Sequence, residues 1–425
     1  MTRALSTGQS HSNWNIARPS TVCRSMKRSL QPLVIAVGLT LAAVFFVVGV
    51  ALARLFFAPD MEPVAAEPAD AAAVAVVPTF TPTTEPFVLA TPTPAATATP
   101  LPTSTPAVVV PPATALSNIR HEWQTWNNCG PATLAMNLSY YGSALDQAQI
   151  GAVLRNVPDD KNVGPQEMAD FARGQGYNAE VRVNGSPDRL RALIAAGIPV
   201  LVETWHEAEP NDGLGHYRLL TGYDDARNVW IAYDTYDNRN PVATDGTYQG
   251  VALDYAEFDN WWRVFNRTFV LIYPPDRAAR VDAILGGPFD PNAMWRIALT
   301  AALATAAATP DDPIAWFNLG SSAVGAGDFT QAADAFDRAR TLGLPWRMFW
   351  YQFGAFEAYW RTGRYEDVIA LADATLAGGA AIEEVHYWRG MALASLGRQD
   401  EARAAWQTAL QLNPDFQPAA QALAG

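Results

Sequence analysis

One uninterrupted apolar stretch stands out near the start of the chain. The 21 residues from Leu33 to Ala53 carry no charge, and Thr40 is their one clearly polar side chain. At ~1.5 Å per residue, a helix of this length can cross the hydrocarbon core of a bilayer. Residues 1–32 hold basic but no acidic side chains, so the positive-inside rule places them in the cytoplasm. The pattern predicts a single-pass membrane protein whose C-terminal domains are extracytoplasmic.

A cleaved signal peptide is the alternative interpretation of the same segment. The apolar run is longer than the core of an ordinary signal peptide. It is followed by Arg54, Leu55 and Phe56, which do not offer the small residues of a cleavage site. We therefore expect an uncleaved transmembrane helix at residues 33–53.

The next segment, residues 54–116, is dominated by Pro, Thr, Ala and Val. Its central part, residues 91–106, reads TPTPAATATPLPTSTP. Such a composition cannot bury a core and favours extended, polyproline-like states. We expect a disordered stalk that separates the membrane segment from the domains beyond it.

Between residues 117 and 275 the hydrophobic pattern changes period several times. Helical periodicity alternates with short apolar runs that have the length of strands, which predicts an α+β domain. A hairpin is expected where two apolar runs flank the polar turn Asp224–Asn228. The predicted helices begin near Cys129 and cover Gln166–Gly176 and Ser186–Gly197; the predicted strands are Pro199–Trp205, His216–Tyr223, Val229–Asp234 and Phe269–Tyr273.

From residue 290 to 425 the pattern is helical and repeats with a period of about 34 residues. A glycine recurs at one matching position in three units, as Gly320, Gly354 and Gly390. This resembles the tetratricopeptide repeat, in which small residues lie where two helices cross. An all-α domain that binds a protein partner is expected, with a degenerate leading helix at Asn292–Ala308 and a capping helix at Phe416–Ala424.

The distribution of charge excludes one class of partner. Beyond Arg54 the chain holds 23 basic and 42 acidic residues, a net charge of −19. An acidic ectodomain repels the phosphate backbone, so no nucleic-acid partner is expected. The two cysteines, Cys23 and Cys129, lie on opposite sides of the predicted membrane segment and are not expected to form a disulfide.

Cys129 is the first candidate for chemistry. It directly precedes a predicted helix, with Pro131 at a position that suits the first turn. Backbone N–H groups at a helix start favour a thiolate and can stabilise an oxyanion. Gln124, five residues earlier, offers a side-chain amide to the same oxyanion. A buried, inert cysteine beside a surface glutamine is the alternative.

A thiol nucleophile needs a base, normally histidine, and the base needs an orienting group. Of the five histidines, His121 is expected near the domain edge, which leaves His206 and His216 as candidates in this domain. In the predicted hairpin, His216 and Asp234 lie opposite each other to within about two residues, close enough for an imidazole–carboxylate hydrogen bond. The spacing selects His216 as the base and Asp234 as its partner.

The motifs resemble those of the bacteriocin-processing, double-glycine-leader peptidase family, whose members are papain-like cysteine peptidases. The resemblance implies a papain-like fold over residues 117–275. It implies that Cys129 is the nucleophile, His216 the general base and acid, Asp234 the orienting residue and Gln124 an oxyanion donor. It is carried by Gln124, Asn128–Ala132, Gly215–Tyr223 and Tyr233–Asp234, in the family's order of Gln, Cys, His and Asp.

Together these patterns predict a membrane-anchored thiol hydrolase that cleaves a peptide or protein without a cofactor. A non-catalytic adaptor and a thiol acyltransferase are the alternatives, because the first half-reaction of transfer and hydrolysis is the same. Acidic residues and histidines also cluster between His206 and His216, at Glu207, Glu209 and Asp212. Their spacing matches no known metal motif, so we expect a solvated loop at the rim of the cleft.

Overall fold

An antiparallel sheet forms the centre of the first folded region. In the computed structural model, which describes residues 109–155, 157, 163–207, 212–243, 245–379 and 381–425, seven strands pair in the order β2-β7-β3-β4-β5-β6, with β1 against the far end of β4. The predicted α+β class is confirmed as a mixed fold with an antiparallel sheet. The strands are β1 (Ala113–Ala115), β2 (Asn178–Arg182), β3 (Val200–His206), β4 (Leu214–Asp224), β5 (Val229–Asp234), β6 (Val251–Asp254) and β7 (Phe269–Tyr273).

Six helices accompany this sheet in the part of the chain that the structure describes. The first helix packs on β4, where the Thr133 hydroxyl donates a hydrogen bond to the Tyr217 carbonyl. Leu134 and Leu138 of this helix are fully buried with Leu201 and Leu219 of the sheet. The helices are α1 (Cys129–Tyr140), α2 (Gln147–Leu154), α3 (Pro165–Gly174), α4 (Pro187–Ala195), α5 (Tyr255–Trp262) and α6 (Ala278–Leu285).

The second region is helical, as the repeat pattern predicts. Glycines allow close crossing: a Cβ added at Gly320 would lie 2.8 Å from the Phe336 ring, and one at Gly390 would lie 2.4 Å from Trp406. The helices are α7 (Pro291–Ala308), α8 (Pro313–Ala326), α9 (Phe329–Leu342), α10 (Gly354–Arg361), α11 (Tyr365–Leu376), α12 (Glu383–Ser395), α13 (Gln399–Leu412) and α14 (Gln417–Ala424). The pairs α8/α9, α10/α11 and α12/α13 form the three predicted units, with α7 before them and α14 after them.

The sheet region and the repeats share one hydrophobic core. Trp205 and Phe265 of the sheet region are buried in the same cluster as Phe317 and Phe349 of the repeats. Hydrogen bonds cross this boundary as well, because the Asn318 side chain donates to the Arg263 carbonyl at 2.8 Å. The repeats are therefore packed against the sheet region rather than tethered beside it.

The predicted segments at residues 1–32 and 33–53 and residues 54–108 of the predicted stalk lie outside the described residues. The predicted end of the stalk at residue 116 is corrected, because Ala113–Ala115 forms β1 and pairs with β4. No helix in the described ranges is long and apolar enough to cross a bilayer.

Replacing Phe265 by alanine tests the shared core. Phe265 is 2% exposed, so the change should lower the free energy of unfolding by about 3–5 kcal/mol. Urea unfolding, followed by tryptophan fluorescence and by helical circular dichroism, should show both signals shifting to lower denaturant together. Ile297→Ala, at a side chain 56% exposed on α7, is the control and should change stability by less than about 0.5 kcal/mol. A helical signal that keeps its original midpoint in Phe265→Ala would contradict a shared core.

Candidate active site

A cleft of about 410 Å³ opens beside the start of α1. Gln124, Cys129 and His216 all line it, and Asp234 lies directly behind His216. The structure thus brings together the four residues singled out from the sequence. Their chemical roles depend on the contacts that each of them makes.

Cys129 is the first residue of α1 and is half-buried. Burial raises the pKa of its thiol, but a hydrogen bond from the His216 ring and the positive charge of that ring outweigh burial and lower this pKa. Backbone N–H groups of Tyr217 and Gly130 act in the same direction. A thiolate is therefore favoured at this position, as expected for a helix start.

His216 and Asp234 form a buried hydrogen-bonded pair. The His216 Nε2 atom lies 2.9 Å from Asp234 Oδ1. Arg218, two residues after His216, is the residue directly opposite Asp234, so His216 is on the same face of the sheet, one pair away. Because Nε2 is bound to Asp234, Nδ1 is the ring nitrogen left for the Cys129 thiol.

The charge of Asp234 controls the protonation of His216. Burial lowers the pKa of His216, but the Asp234 carboxylate outweighs burial and raises this pKa to about 9. Burial likewise raises the pKa of Asp234, but His216 and Arg218 outweigh it and hold that pKa well below its usual range. The arrangement thus favours the thiolate, the imidazolium and the carboxylate forms of these three residues.

Asp234 is held by more than its histidine. The backbone N–H groups of Tyr236 and Asp237 both donate to Oδ1 at 2.8 Å. The fully buried Arg218 brings its Nε to 2.8 Å from Oδ2, an ion pair whose angle does not meet hydrogen-bond geometry. Arg218 also donates to the Thr204 hydroxyl. The carboxylate is therefore fixed by the turn after β5 and by a buried cation.

Gln124 is tied to the residue that follows Asp234. Its backbone N–H donates to the Thr235 carbonyl at 2.9 Å, and the Thr235 hydroxyl donates to the Gln124 Oε1 atom at 2.7 Å. With its acceptor oxygen engaged in this way, the Nε2 amide group is the end of the side chain suited to donate to an oxyanion in the cleft.

Two other histidines lie near this site. His121, expected near the domain edge, is half-buried, its Nε2 is 2.8 Å from the Asp234 carbonyl oxygen, and its ring stacks on Tyr248. His206 lies in the cleft, and burial lowers its pKa to about 4, so it is neutral. Its Nδ1 lies 3.3 Å from the Arg218 guanidinium. The histidine that is hydrogen-bonded to the Cys129 thiol is His216.

The repeat region contributes Tyr351 to the lining of the cleft and Arg347 to a contact with the lining residue Asp212. Arg347, in the loop after α9, pairs with Asp212 at 2.6 Å and donates to the Gly213 carbonyl at 3.3 Å. Tyr351 lines the cleft, and a Cβ added at Gly215 would lie 3.1 Å from its ring. These contacts hold the chain immediately before His216.

The sequence analysis missed Arg218, Glu203 and two residues of the repeat region, Arg347 and Tyr351. Arg218 and Glu203 are charged residues inside strands that are mostly buried, and charge in such a run is a signal that could have found them. Tyr351, which lines the cleft, and Arg347, which pairs with the lining residue Asp212, carry no comparable signal, because only tertiary packing brings them there. In the described ranges, no group of three or more His, Cys, Asp or Glu residues is placed to hold a metal ion.

The sheet thus carries a histidine–aspartate pair beside a cysteine at a helix start. Residues 115–268 match the family model described as Peptidase_C39 like family. Residues 294–343 and 383–416 match models of the tetratricopeptide repeat. The resemblance predicted from the sequence is therefore confirmed for both regions.

Solved structures with similarity include a double glycine motif protease from an AMS/PCAT transporter in complex with the leader peptide. It is 19% identical and covers 38% of this chain and 94% of its own, with a TM-score of 0.28. The peptidase domain of Streptococcus ComA is 16% identical, with coverages of 37% and 99% and a TM-score of 0.29. MamA from Desulfovibrio magneticus RS-1 is 19% identical, with coverages of 32% and 82% and a TM-score of 0.26.

All three TM-scores lie below 0.5, so the similarity to a peptidase family depends on the match of residues 115–268. A comparison with curated proteins gives no match.

The lowered pKa of Cys129 can be measured through its rate of alkylation. Iodoacetamide should react with Cys129 at pH values below the ordinary cysteine pKa of ~8.5, since the thiolate is the reacting form. His216→Ala removes the cation and leaves burial, so the midpoint of the rate profile should move above ~8.5. His386→Ala, in the repeats, is the control and should leave the profile unchanged. Cys129→Ala gives the background rate from Cys23. An unchanged profile in His216→Ala would show that the histidine does not control the thiol.

The buried pair of Arg218 and Asp234 can be tested by a double-mutant cycle. Asp234→Asn leaves the guanidinium uncompensated, and this should cost about 3–5 kcal/mol of folding free energy. Adding Arg218→Met removes the stranded charge, so the double variant should be more stable than the sum of the single changes predicts. Urea unfolding of the four proteins measures this coupling. Additive effects would mean that the ion pair does not support the fold.

Proposed function

We propose that the chain is a thiol hydrolase that cleaves amide bonds of a peptide or protein substrate. The observation that carries this proposal is the series Cys129, His216 and Asp234, hydrogen-bonded in order at the mouth of a cleft. The match to a Peptidase_C39 like family supports the same class of reaction.

In the first step the Cys129 thiolate attacks the carbonyl carbon of the substrate amide and forms an S–C bond. The backbone N–H of Cys129 and the Gln124 amide are positioned to stabilise the oxyanion. The His216 imidazolium gives its proton to the nitrogen as the C–N bond breaks. The amine leaves, and a thioester to Cys129 remains.

In the second step His216, now neutral, removes a proton from water as the water oxygen attacks the thioester. The C–S bond breaks, the acid product leaves, and the thiolate–imidazolium pair is restored. Asp234 keeps the ring oriented through Nε2, so Nδ1 serves as the proton donor and acceptor in both steps.

The repeat region and the predicted membrane segment are also part of the proposed function. The repeats bind a protein partner or present a protein substrate, as repeat modules commonly do. Residues 33–53 anchor the chain in a membrane, with its C-terminal domains extracytoplasmic. This part of the proposal is based on the sequence pattern, because the segment lies outside the described residues.

The test uses the full chain and a peptide library digested in heavy-oxygen water. Cleavage should place one heavy oxygen in each new carboxyl terminus, because water resolves the thioester. Cys129→Ala and His216→Ala should abolish cleavage, and Gln124→Ala should lower kcat about 10²–10³-fold, as loss of one oxyanion donor does elsewhere. Gln175→Ala, at the end of α3, is a matched glutamine control and should keep full activity.

Three outcomes separate the candidate functions. Heavy-oxygen carboxylates that depend on Cys129 support hydrolysis. Products joined to an added amine, without heavy oxygen, would point to acyl transfer by the same thiol. No Cys129-dependent product of either kind from folded protein would favour a non-catalytic adaptor.

A further inference from the structure

One buried carboxyl group in the cleft has no part in the proposed chemistry. Glu203 lies on β3 directly opposite Tyr217, is 7% exposed, and lines the same cavity as Cys129. Its side chain is hydrogen-bonded to the Tyr217 side chain, whose hydroxyl donates to the Val163 carbonyl at 2.8 Å. The carboxyl group thus borders the cleft but faces no cation of its own.

The other charged groups in this cleft have partners. Asp212 pairs with Arg347, and His216 pairs with Asp234. Among the described residues that line the cavity there is no lysine or arginine, and His206 is neutral. A buried carboxyl group without a counterion is costly to ionise, and a cation bound beside it lowers that cost.

Tyr351 adds an aromatic surface to the same space. It comes from the repeat region and lines the cavity with Glu203. The charges that act on its phenol are those of Cys129, of Arg347, which is paired with Asp212, and of Glu203. A cation held near a carboxylate and an aromatic face gains from both. The long alkyl part of a lysine or arginine side chain also packs well against an aromatic ring.

We propose that this corner of the cleft binds a lysine or arginine side chain of the substrate, next to the bond that is cleaved, with Glu203 as its counterion and Tyr351 as its aromatic contact. This inference rests on the proposed function. It names the class of substrate: a peptide with a cationic residue beside the scissile bond. It also gives the repeats a direct part in selectivity.

The selectivity should depend on pH. Burial raises the pKa of Glu203 to about 8, and its titratable neighbours are Tyr217 on β4, Cys129 on α1 and Tyr351 from the repeats. A bound cation favours the ionised carboxylate, so preference for a cationic side chain should rise between about pH 6 and about pH 8. Ionisation of Cys129 affects all substrates alike and cancels in the ratio of two rates.

The test compares matched peptidyl acyloxymethyl ketones, which alkylate a reactive thiolate. In each pair, one of the two residues before the ketone is lysine or norleucine, whose chain is of similar length without the charge. The full chain is compared with Glu203→Gln, which keeps the shape and the hydrogen-bonding capacity toward Tyr217. Glu180→Gln is the matched control, because Glu180 is also buried and hydrogen-bonded to a tyrosine, Tyr273, but lies on β2 outside the cleft.

The lysine probe should label Cys129 at least about tenfold faster than its norleucine partner at one of the two positions. Glu203→Gln should lose this preference, so that its lysine and norleucine probes react at similar rates, and Glu180→Gln should keep the preference. Equal rates in the unaltered chain, or a preference that survives in Glu203→Gln, would overturn the inference while Cys129 labelling still supports the thiol chemistry. Failure of every probe to label Cys129 in folded protein would overturn the proposed function, and the inference with it.

Discussion

The buried negative charge of Asp234 is the constraint on which the rest of the site depends. A carboxylate with no exposed surface is stable only if cations and N–H groups surround it. Here Arg218 and His216 supply the positive charges, and the turn after β5 supplies two backbone donors. The ionised Asp234 therefore orients the ring of His216 and keeps it protonated, and the protonated ring lowers the pKa of Cys129.

Residues of the repeat region also stabilise this site. Arg347 holds the Asp212–Gly213 backbone and Tyr351 packs on Gly215, so the chain leading into His216 depends on the helical region. A shared core that includes Phe265 and Phe317 joins the two regions behind these contacts. The cleft and the repeat region are therefore in direct contact in this architecture.

Much of this could be predicted from the sequence, and the failures have physical reasons. Phe269–Tyr273 is a continuous apolar run, and the structure has a strand with these bounds. The distance between His216 and Asp234 followed from counting residues around one turn. The strands β2 and β6 were missed because they are short and mix polar with apolar residues. The strand β1 was missed because its three residues lie at the end of the Pro- and Thr-rich segment. Tyr351 was missed because its place in the cleft depends on the packing of two distant regions, which no local pattern encodes.

At neutral pH we expect His216 to be a cation that is paired with the Cys129 thiolate. Nuclear magnetic resonance of histidine labelled at the ring nitrogens measures this directly, with His216→Ala identifying the signals. We expect both ring nitrogens of His216 to be protonated at neutral pH, and the ring to lose a proton only near about pH 9. A neutral His216 at pH 7, titrating at or below the ordinary histidine value of ~6.5, would contradict it.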